Sequence, residues 1–320
     1  MSEQLTWQAA NQQQLLVALQ DVRAALLRSV EADTANTAPQ DESLVLPPPI
    51  TTSPSAETSS RSELSAALDT LCQTFGLSPF ERDLLLLCAG IELDPTFANL
   101  CARVQDDPAR TYPTFSLALA ILPEAHWSAL TPTSPLRRWR LIETGSGPGL
   151  MSNPLRIDER ILHFLTGVPH LDEQLLGFVE PVDTHVELVP SQQEVAERIV
   201  TLWSRPYHSE RPPVVQLCGN EPYGKQAVAV TACTMLGWGL YRLPAQAIPA
   251  MPHELDILLR LWEREAVLSG SALLLDCQEI DTADQVRSAL ITRFVEGVRS
   301  PLLVMGRERR QSALRPILTF

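Results

Sequence analysis

Lysine is nearly absent from this sequence. Of its 25 Lys and Arg residues only Lys225 is a lysine, and acidic residues outnumber basic ones enough to give a net charge of −13 at pH 7. Nucleic acids and anionic membrane surfaces are bound mainly by basic patches. The charge therefore argues against nucleic acid or an anionic membrane as a partner.

Long apolar runs and paired-cysteine motifs are missing as well. No run approaches the roughly 18 residues that a membrane-spanning helix needs. The first residues lack the basic region and apolar core of a signal peptide, so we expect no membrane association. The six cysteines include no CxxC pair and lie in apolar runs, which favours buried, reduced thiols in a cytoplasmic protein.

Residue composition changes along the 320-residue sequence and indicates two segments before the first expected globular domain. Residues 1–32 predict an amphipathic helix, because apolar side chains recur every three or four positions from Leu15 to Val30. Such a helix either contacts another subunit or folds back on its own domain, and the pattern leaves both open. Residues 33–61, rich in Pro, Ser and Thr, predict a disordered linker.

Residues 62–184 predict a mainly helical, winged-helix-like interaction domain. Helices are expected from Ser62 and from Pro79, where Ser78 provides an N-cap. A hairpin is expected from two β-like runs, 139–143 and 150–151, and a last helix over 155–167. Several helices followed by a hairpin and a helix are typical of a winged helix.

A winged helix raises the alternative of DNA binding, and its charge argues against this. Residues 63–180 carry 15 acidic and eight basic side chains, a net charge of −7. The expected recognition helix, 113–122, has no basic or amide side chain to read base edges. The basic cluster Arg137-Arg138-Trp139-Arg140 is interpreted as forming salt bridges within the domain. The domain is therefore predicted to bind protein.

Residues 185–320 alternate apolar runs with helical segments, which predicts a parallel sheet with helical crossovers. The run Val214–Cys218 leads into G-x-x-x-x-G-K, the pattern of a phosphate-binding loop followed by a helix. Backbone N–H groups of such a loop and its lysine bind nucleotide phosphates. ATP is the expected ligand. The predicted nucleotide-binding residues are Gly219, Asn220, Glu221, Pro222, Tyr223, Gly224, Lys225, Gln226 and Ala227.

Other positions around this motif concern metal binding and catalysis. Asp276 ends an apolar run, as an aspartate that holds Mg²⁺ does. Gln226 stands where a Ser or Thr hydroxyl would bind the same ion, and Cys277 stands where a glutamate would polarise water. Glu279 is the remaining candidate for a catalytic base, and Gly306 and Arg307 take the place of a polar sensor. These departures predict a site that binds nucleotide without efficient hydrolysis.

The segment from Phe80 to Glu143, the segment 154–168 and the P-loop half together resemble the N-terminal part of bacterial AAA+ ATPases. These ATPases accompany extracellular contractile injection systems, which are phage-tail-like particles. The resemblance implies a degenerate first module with an α/β P-loop NTPase fold of the AAA+ type and an incomplete parallel sheet. It also implies other AAA+ subunits in a hexameric ring and injection-particle proteins as partners. On this basis the fifth strand, the arginine finger, the helical lid and a second module are expected to lie outside these residues.

Three functional hypotheses are compatible with the sequence. The leading hypothesis is a module that binds ATP and Mg²⁺, is impaired in hydrolysis, and assembles or remodels the particle through its winged-helix domain. The alternative is a scaffolding or adaptor protein with a vestigial P-loop. An active ATPase with Glu279 as its base is a further hypothesis.

Overall fold

The structure is a computed structural model that describes residues 2–36, 66–147, 149–183, 187–204, 211–281, 284–310 and 316–320. Its chain forms two compact units, Met1–Val168 and Pro169–Phe320. Most of the predicted linker and the expected helix start at Ser62 lie outside the described residues. No helix among the described residues is long and apolar enough to cross a membrane.

The first unit is a bundle of helices followed by a small antiparallel hairpin. The hairpin pairs β1 (Ile142–Thr144) with β2 (Leu155–Ile157), and a 3-10 turn spans Trp127–Leu130. The helices are α1 (Ser2–Asn36), α2 (Ala67–Phe75), α3 (Pro79–Leu93), α4 (Thr96–Val104), α5 (Phe115–Ile121), α6 (Pro135–Arg138) and α7 (Glu159–Thr166).

Helix α1 folds back on its own unit, which decides between the two alternatives left by its sequence. The seam residues Leu15, Leu19, Val22, Leu26 and Val30 are buried, and the helix packs against α3, α4 and α7. Asn11 fixes its position: its Nδ2 donates to the Leu165 carbonyl at 2.8 Å, and its Oδ1 accepts the Ala67 N–H at 2.9 Å. An amide with both ends bonded inside a unit is part of that unit's core.

Helix α3 begins as its sequence predicts. Ser78 is the N-cap, its hydroxyl accepts the Glu81 N–H at 3.2 Å, and the Glu81 carboxylate accepts the Ser78 N–H at 3.0 Å. The pair satisfies two N–H groups that have no partner within the helix. Leu84–Leu87 are fully buried, so α3 is the central helix of the unit.

The hairpin lies later in the chain than expected. The segment 139–143 was expected to form a strand, but α6 runs to Arg138 and β1 starts only at Ile142. The reason is tertiary packing, because Trp139 packs against Phe75 with ring centroids 5.5 Å apart. The second run, 150–151, is part of a turn, and β2 begins at Leu155.

The second unit is an α/β domain with helices on both faces of one sheet. Its 3-10 turns are Glu173–Leu175 and Ala245–Ala247. The helices are α8 (Pro190–Trp203), α9 (Pro222–Met235), α10 (Pro252–Ser269) and α11 (Gln285–Gly297). The strands are β3 (Glu180–Pro181), β4 (Val214–Cys218), β5 (Gly239–Pro244), β6 (Ser271–Asp276), β7 (Leu302–Gly306) and β8 (Ile317–Thr319).

Strand order in the sheet is β3-β5-β6-β7-β4-β8, with β3 antiparallel to β5 and every other pair parallel. Neighbouring residues face opposite sides: Leu273 and Leu275 pack with α10 and α11, whereas Ala272 and Leu274 pack with α8 and α9. Strands buried on both faces read as continuous apolar runs, which explains the sequence Ala272–Leu275.

The expectation that the fifth parallel strand lies outside these residues was wrong. Strand β8 supplies it and pairs with β4, with Val215 opposite Leu318. The segment Ile317–Thr319 is too short and too near the end of the sequence to show a strand pattern by itself. Its pairing with the central strand makes it one.

Residues 169–183, which the sequence groups with the winged helix, lie in the second unit. Glu180 and Pro181 form the edge strand beside β5. In the same segment, Asp172 forms a buried ion pair with Arg264 of α10, with 2.5 Å between Oδ2 and Nη2. This pair holds the segment against α10, because burial of either charge without the other would be strongly unfavourable.

Candidate functional site at the loop after strand β4

The expected phosphate loop lies at the carboxyl ends of the parallel strands, where ligands bind in such sheets. Cys218 is paired with Gly306, and Asp276 with Met305, so the ends of β4, β6 and β7 lie side by side. The structure thus brings together the loop, Asp276 and Gly306, as the sequence predicts.

The loop itself is short. Strand β4 ends at Cys218 and α9 begins at Pro222, so three residues, Gly219–Glu221, connect them. Gly219 has a φ of 136°, a conformation that side-chain-bearing residues rarely adopt. The remaining predicted binding residues, from Pro222 to Ala227, already belong to the first turns of α9, and Ala227 is buried.

Glu221 is the N-cap of α9, and its carboxylate takes the N–H groups that a phosphate would use. Oε1 accepts the Tyr223 N–H at 3.2 Å, and Oε2 accepts the Gly224 N–H at 2.5 Å. A helix start has four N–H groups without a helical partner. Here Pro222 has none to give and Glu221 accepts two. The side chain is exposed, so it faces the solvent from which a ligand would arrive.

The second glycine of the motif allows this close contact. A Cβ at Gly224 would lie 2.9 Å from Glu221 Oε2 and 2.6 Å from Gln192 Nε2 of α8. The space that the glycine leaves is therefore occupied by side chains of this chain. Gly224 would be needed at this position whether it makes room for a phosphate or for the Glu221 carboxylate. The sequence motif is the same in both cases.

Lys225 is bound to carbonyl oxygens at the strand ends. Its Nζ donates to Gly219 O at 2.5 Å and to Gly306 O at 3.0 Å, and the residue is 8% exposed. Burial lowers its pKa, while Cys218, Asp276 and Glu221 oppose this effect. The chain's single ammonium thus connects the end of β7 to the loop after β4.

Asp276, the predicted magnesium ligand, already faces a cation. Its Oδ2 lies 3.0 Å from Arg242 Nε of strand β5, and its Oδ1 accepts the Gln278 N–H at 3.0 Å. A guanidinium at this distance forms an ion pair with the carboxylate and offsets part of its negative charge, although Arg242 Nε makes no hydrogen bond within the described residues. The predicted magnesium ligand thus has a positive charge of the chain beside it.

Glu279 lies on a cavity beside these groups. It is exposed and lines a cavity of about 720 Å³ at the ends of β6 and β7, together with Arg307, Arg310 and Ser288. The lining of that cavity includes Cys277 and Gly306, but none of the residues 219–227. Cys277 is 4% exposed, and burial raises its pKa to about 11. A protonated, buried thiol has no means to activate water.

All six cysteines are free. Cys88, Cys101, Cys233 and Cys277 are buried, as expected, whereas Cys72 and Cys218 are half-buried. Burial raises the pKa of Cys101 and Cys233 to about 12 and that of Cys72 to about 11. All of these thiols are therefore protonated at neutral pH.

The basic cluster of the first unit makes contacts within that unit. Arg137 Nη1 donates to the Leu130 carbonyl at 2.5 Å, and the Arg138 guanidinium lies 5.3 Å from the centre of the Trp139 ring. On α5, the exposed positions are Ser116 and Ala120. The helix expected to read DNA therefore presents no cation on its exposed positions.

Two residues of the site were not recognised in the sequence for what they do. Glu221 was counted as a binding residue of the loop, although a carboxylate at a helix N-cap is a recognisable capping signal. Arg242 carried no signal at all, because its position beside Asp276 follows from the register of β5 and β6.

Comparison with known proteins identifies one family. The model of the family described as "Winged helix domain, variant" matches residues 5–179, more than half of the chain. A search of curated proteins finds no match.

Among solved structures, the chain has weak similarity to a Trip13 from Rhizobiales, with 17% identity over 44% of this chain and 68% of that chain and a TM-score of 0.28. It has similarly weak similarity to the HORMA:CdnC:Trip13 complex of E. coli MS115-1, with 16% identity, the same coverage and a TM-score of 0.27. By its match over residues 5–179, the chain belongs to the winged helix domain, variant, family.

Proposed function

We propose that this protein is an adaptor: a winged-helix protein-interaction unit joined to a P-loop-related α/β unit that does not turn over nucleotide. The observation that carries this proposal is that three charged groups at or beside the loop already have contacts within the chain. Glu221 caps α9, Lys225 binds two carbonyls, and Asp276 faces Arg242. The structure therefore favours the alternative of a vestigial P-loop over an active ATPase.

The chemistry of hydrolysis supports the same choice. Phosphoryl transfer needs a metal ion bridging the phosphates and a group that orients the attacking water. Asp276 is close enough to Arg242 for an ion pair, and Glu279 lines a cavity that includes Cys277 and Gly306 but none of the residues 219–227. Both arrangements weigh against a role for these groups in that reaction.

The first unit supports a role in protein binding. Trp127 is 70% exposed on its 3-10 turn. Tryptophan is among the residues that contribute most to the binding energy of protein interfaces. Together with the net charge of −7 over residues 63–180, this exposed ring favours a protein partner over a polyanion.

Nucleotide binding by an AAA+-type module is the second candidate, and a specific observation favours it. The loop, Asp276 and Gly306 lie together at the carboxyl ends of parallel strands, the usual place for a nucleotide. According to this second candidate, the module binds ATP without hydrolysing it and forms a ring with other AAA+ subunits. Both candidates include injection-particle proteins as partners, and this part of the proposal is based on the sequence resemblance.

The test has two arms that use the full chain. Phosphate release with ATP and Mg²⁺ is expected to be absent; release that Lys225→Ala abolishes would reject the adaptor proposal. Purified injection-particle proteins are expected to bind the chain, and Trp127→Ala is expected to weaken binding about tenfold or more, as for an interface hot spot. Leu150→Ala, which alters a side chain 39% exposed in the same unit, is the matched control.

A further inference from the structure

The cavity of about 720 Å³ that Glu279 lines has the size and the position of a ligand site. It lies between the segment after β6, the segment after β7 and helix α11. Pockets of roughly 300–1,000 Å³ hold small molecules in proteins, and parallel sheets bind ligands at the carboxyl ends of their strands. None of the residues 219–227 lines the cavity, so a ligand there would not depend on the loop after β4.

Charged side chains of both signs line this cavity. The basic ones are Arg307, Arg309 and Arg310 after β7, and the acidic ones are Glu279 and Asp281 after β6 and Glu308 after β7. Within the described part of the chain, Glu279 and Arg307 form no ion pair, and both are exposed. A ligand with only negative charge would be repelled by the carboxylates, and one with only positive charge by the guanidiniums. The lining therefore favours a ligand that carries both charges.

Uncharged polar groups of the lining suit the amide groups of such a ligand. Ser288 of α11 contributes a hydroxyl, which lies 3.4 Å from Arg310 Nη1. Gln278 also lines the cavity, and its Nε2 is buried without a hydrogen-bond partner among the residues that the structure describes. A buried donor without an acceptor is unfavourable. After rotation of the Gln278 side chain, a carbonyl group of a ligand would provide that acceptor.

We propose that this cavity binds a short peptide with free ends, its carboxylate at the arginines after β7 and its ammonium at the carboxylates after β6. A guanidinium forms two parallel hydrogen bonds with a carboxylate, and Glu279 is an acceptor for an ammonium. The peptide backbone also supplies the carbonyl groups that Gln278 lacks. The site is separate from the loop after β4, and its ligand belongs to a different class from a nucleotide.

The probe that tests this is tetra-alanine with free ends. Its binding to the full chain is measured by saturation-transfer difference NMR at about 50 mM salt, where screening of exposed charges is weak. The free peptide is expected to bind saturably with a Kd of about 1 mM or tighter. Acetylation of its N-terminus or amidation of its C-terminus removes one charge each, and each change is expected to weaken binding about three- to fivefold. The peptide blocked at both ends is expected not to bind saturably.

Two variants assign the two ends of the peptide. Arg307→Gln is expected to weaken binding of the free and the acetylated peptide but not of the amidated one, which has no carboxylate to lose. Glu279→Gln is expected to weaken binding of the free and the amidated peptide but not of the acetylated one. Both side chains are exposed, so both variants are expected to fold. Arg293→Gln is the matched control, because Arg293 is on α11, is about half exposed and does not line the cavity.

Three results would overturn the proposal. The first is the absence of saturable binding of tetra-alanine up to about 10 mM. The second is equal binding of the free peptide and the peptide blocked at both ends. The third is binding of succinate as tightly as tetra-alanine, which would indicate a site for anions alone. Turnover of ATP by the wild type would reject the adaptor and leave the peptide site in place, so the two proposals fail separately.

Discussion

The two units of this chain each have a shape that binds a polyanion in other proteins, and they differ in why that chemistry is missing here. The winged-helix unit lacks the cations: α5 exposes Ser116 and Ala120, and the nearby arginines contact their own unit. The α/β unit keeps the charged groups and pairs them internally, as Lys225 and Asp276 show. The winged-helix unit therefore lacks the residue types needed to bind a polyanion. The α/β unit has the residue types, but their side chains are bound within the unit.

The absence of a side chain can be recognised in the sequence. The lack of cations on the expected recognition helix therefore counts against DNA binding without any structural information. The sequence does not show whether a side chain that is present is already bonded to other groups of the chain.

The largest effect is expected from the buried ion pair of the α/β unit. Arg264→Met leaves Asp172, 3% exposed, without its partner, and we expect a loss of about 3–5 kcal/mol in the free energy of unfolding. Urea unfolding measures it. Arg293→Met is the control, since Arg293 and Asp256 are 3.8 Å apart and about half exposed, and it is expected to change stability by less than about 1 kcal/mol. Equal effects would show that burial of the pair does not matter.

Lys225→Met tests whether the lysine has a structural role without any ligand. Its removal leaves Gly219 O and Gly306 O without this donor, so we expect a loss of about 1–3 kcal/mol in the free energy of unfolding. The measurement is urea unfolding without nucleotide. Arg309→Met, at an exposed position, is the control. Unchanged or increased stability would mean that Lys225 is held only for a ligand.

The explanation for the absence of DNA binding can be tested by adding cations to α5 of the winged-helix unit. Wild type is expected not to retard DNA in a gel at about 50 mM salt. The double variant Ser116→Arg/Ala120→Arg places two guanidiniums on the exposed positions of α5 and is expected to bind weakly, with affinity that falls as salt rises. DNA binding by wild type under these conditions would contradict the composition argument. The same arginines placed at Val267 and Met235 of the α/β unit, both 48% exposed, are the control.

The smallest effects concern the thiols. Cys72 and Cys218 are half-buried and are expected to react with iodoacetamide at pH 8 before the four buried cysteines do, as mass spectrometry can show. Burial raises the pKa of Cys277 from an ordinary 9.0 to about 11. The stability that this thiol contributes is therefore full below pH 9 and is lost as pH rises towards 11. Early labelling of Cys277 would mean that the ends of β6 and β7 open more readily than the structure implies.

Much of the fold follows from local patterns. The capping box at Ser78, the apolar run Ala272–Leu275 and the seam from Leu15 to Val30 each predict an element that the structure has. The position of the hairpin and the presence of strand β8 could not be predicted from local patterns. Trp139 has strand propensity but packs on Phe75, and Ile317–Thr319 is a strand because β4 pairs with it.

By itself, the sequence determined the parallel α/β unit, the helical unit with its hairpin, and the absence of cations on α5. These depend on periodicity, capping and composition, which act over a few residues. Only the tertiary structure decided that α1 folds back on its own unit, that Arg242 faces Asp276, and that Glu221 holds the N–H groups of the loop. Contacts of this kind depend on strand register and on where a helix begins, and the motif G-x-x-x-x-G-K is compatible with either an open or an occupied loop.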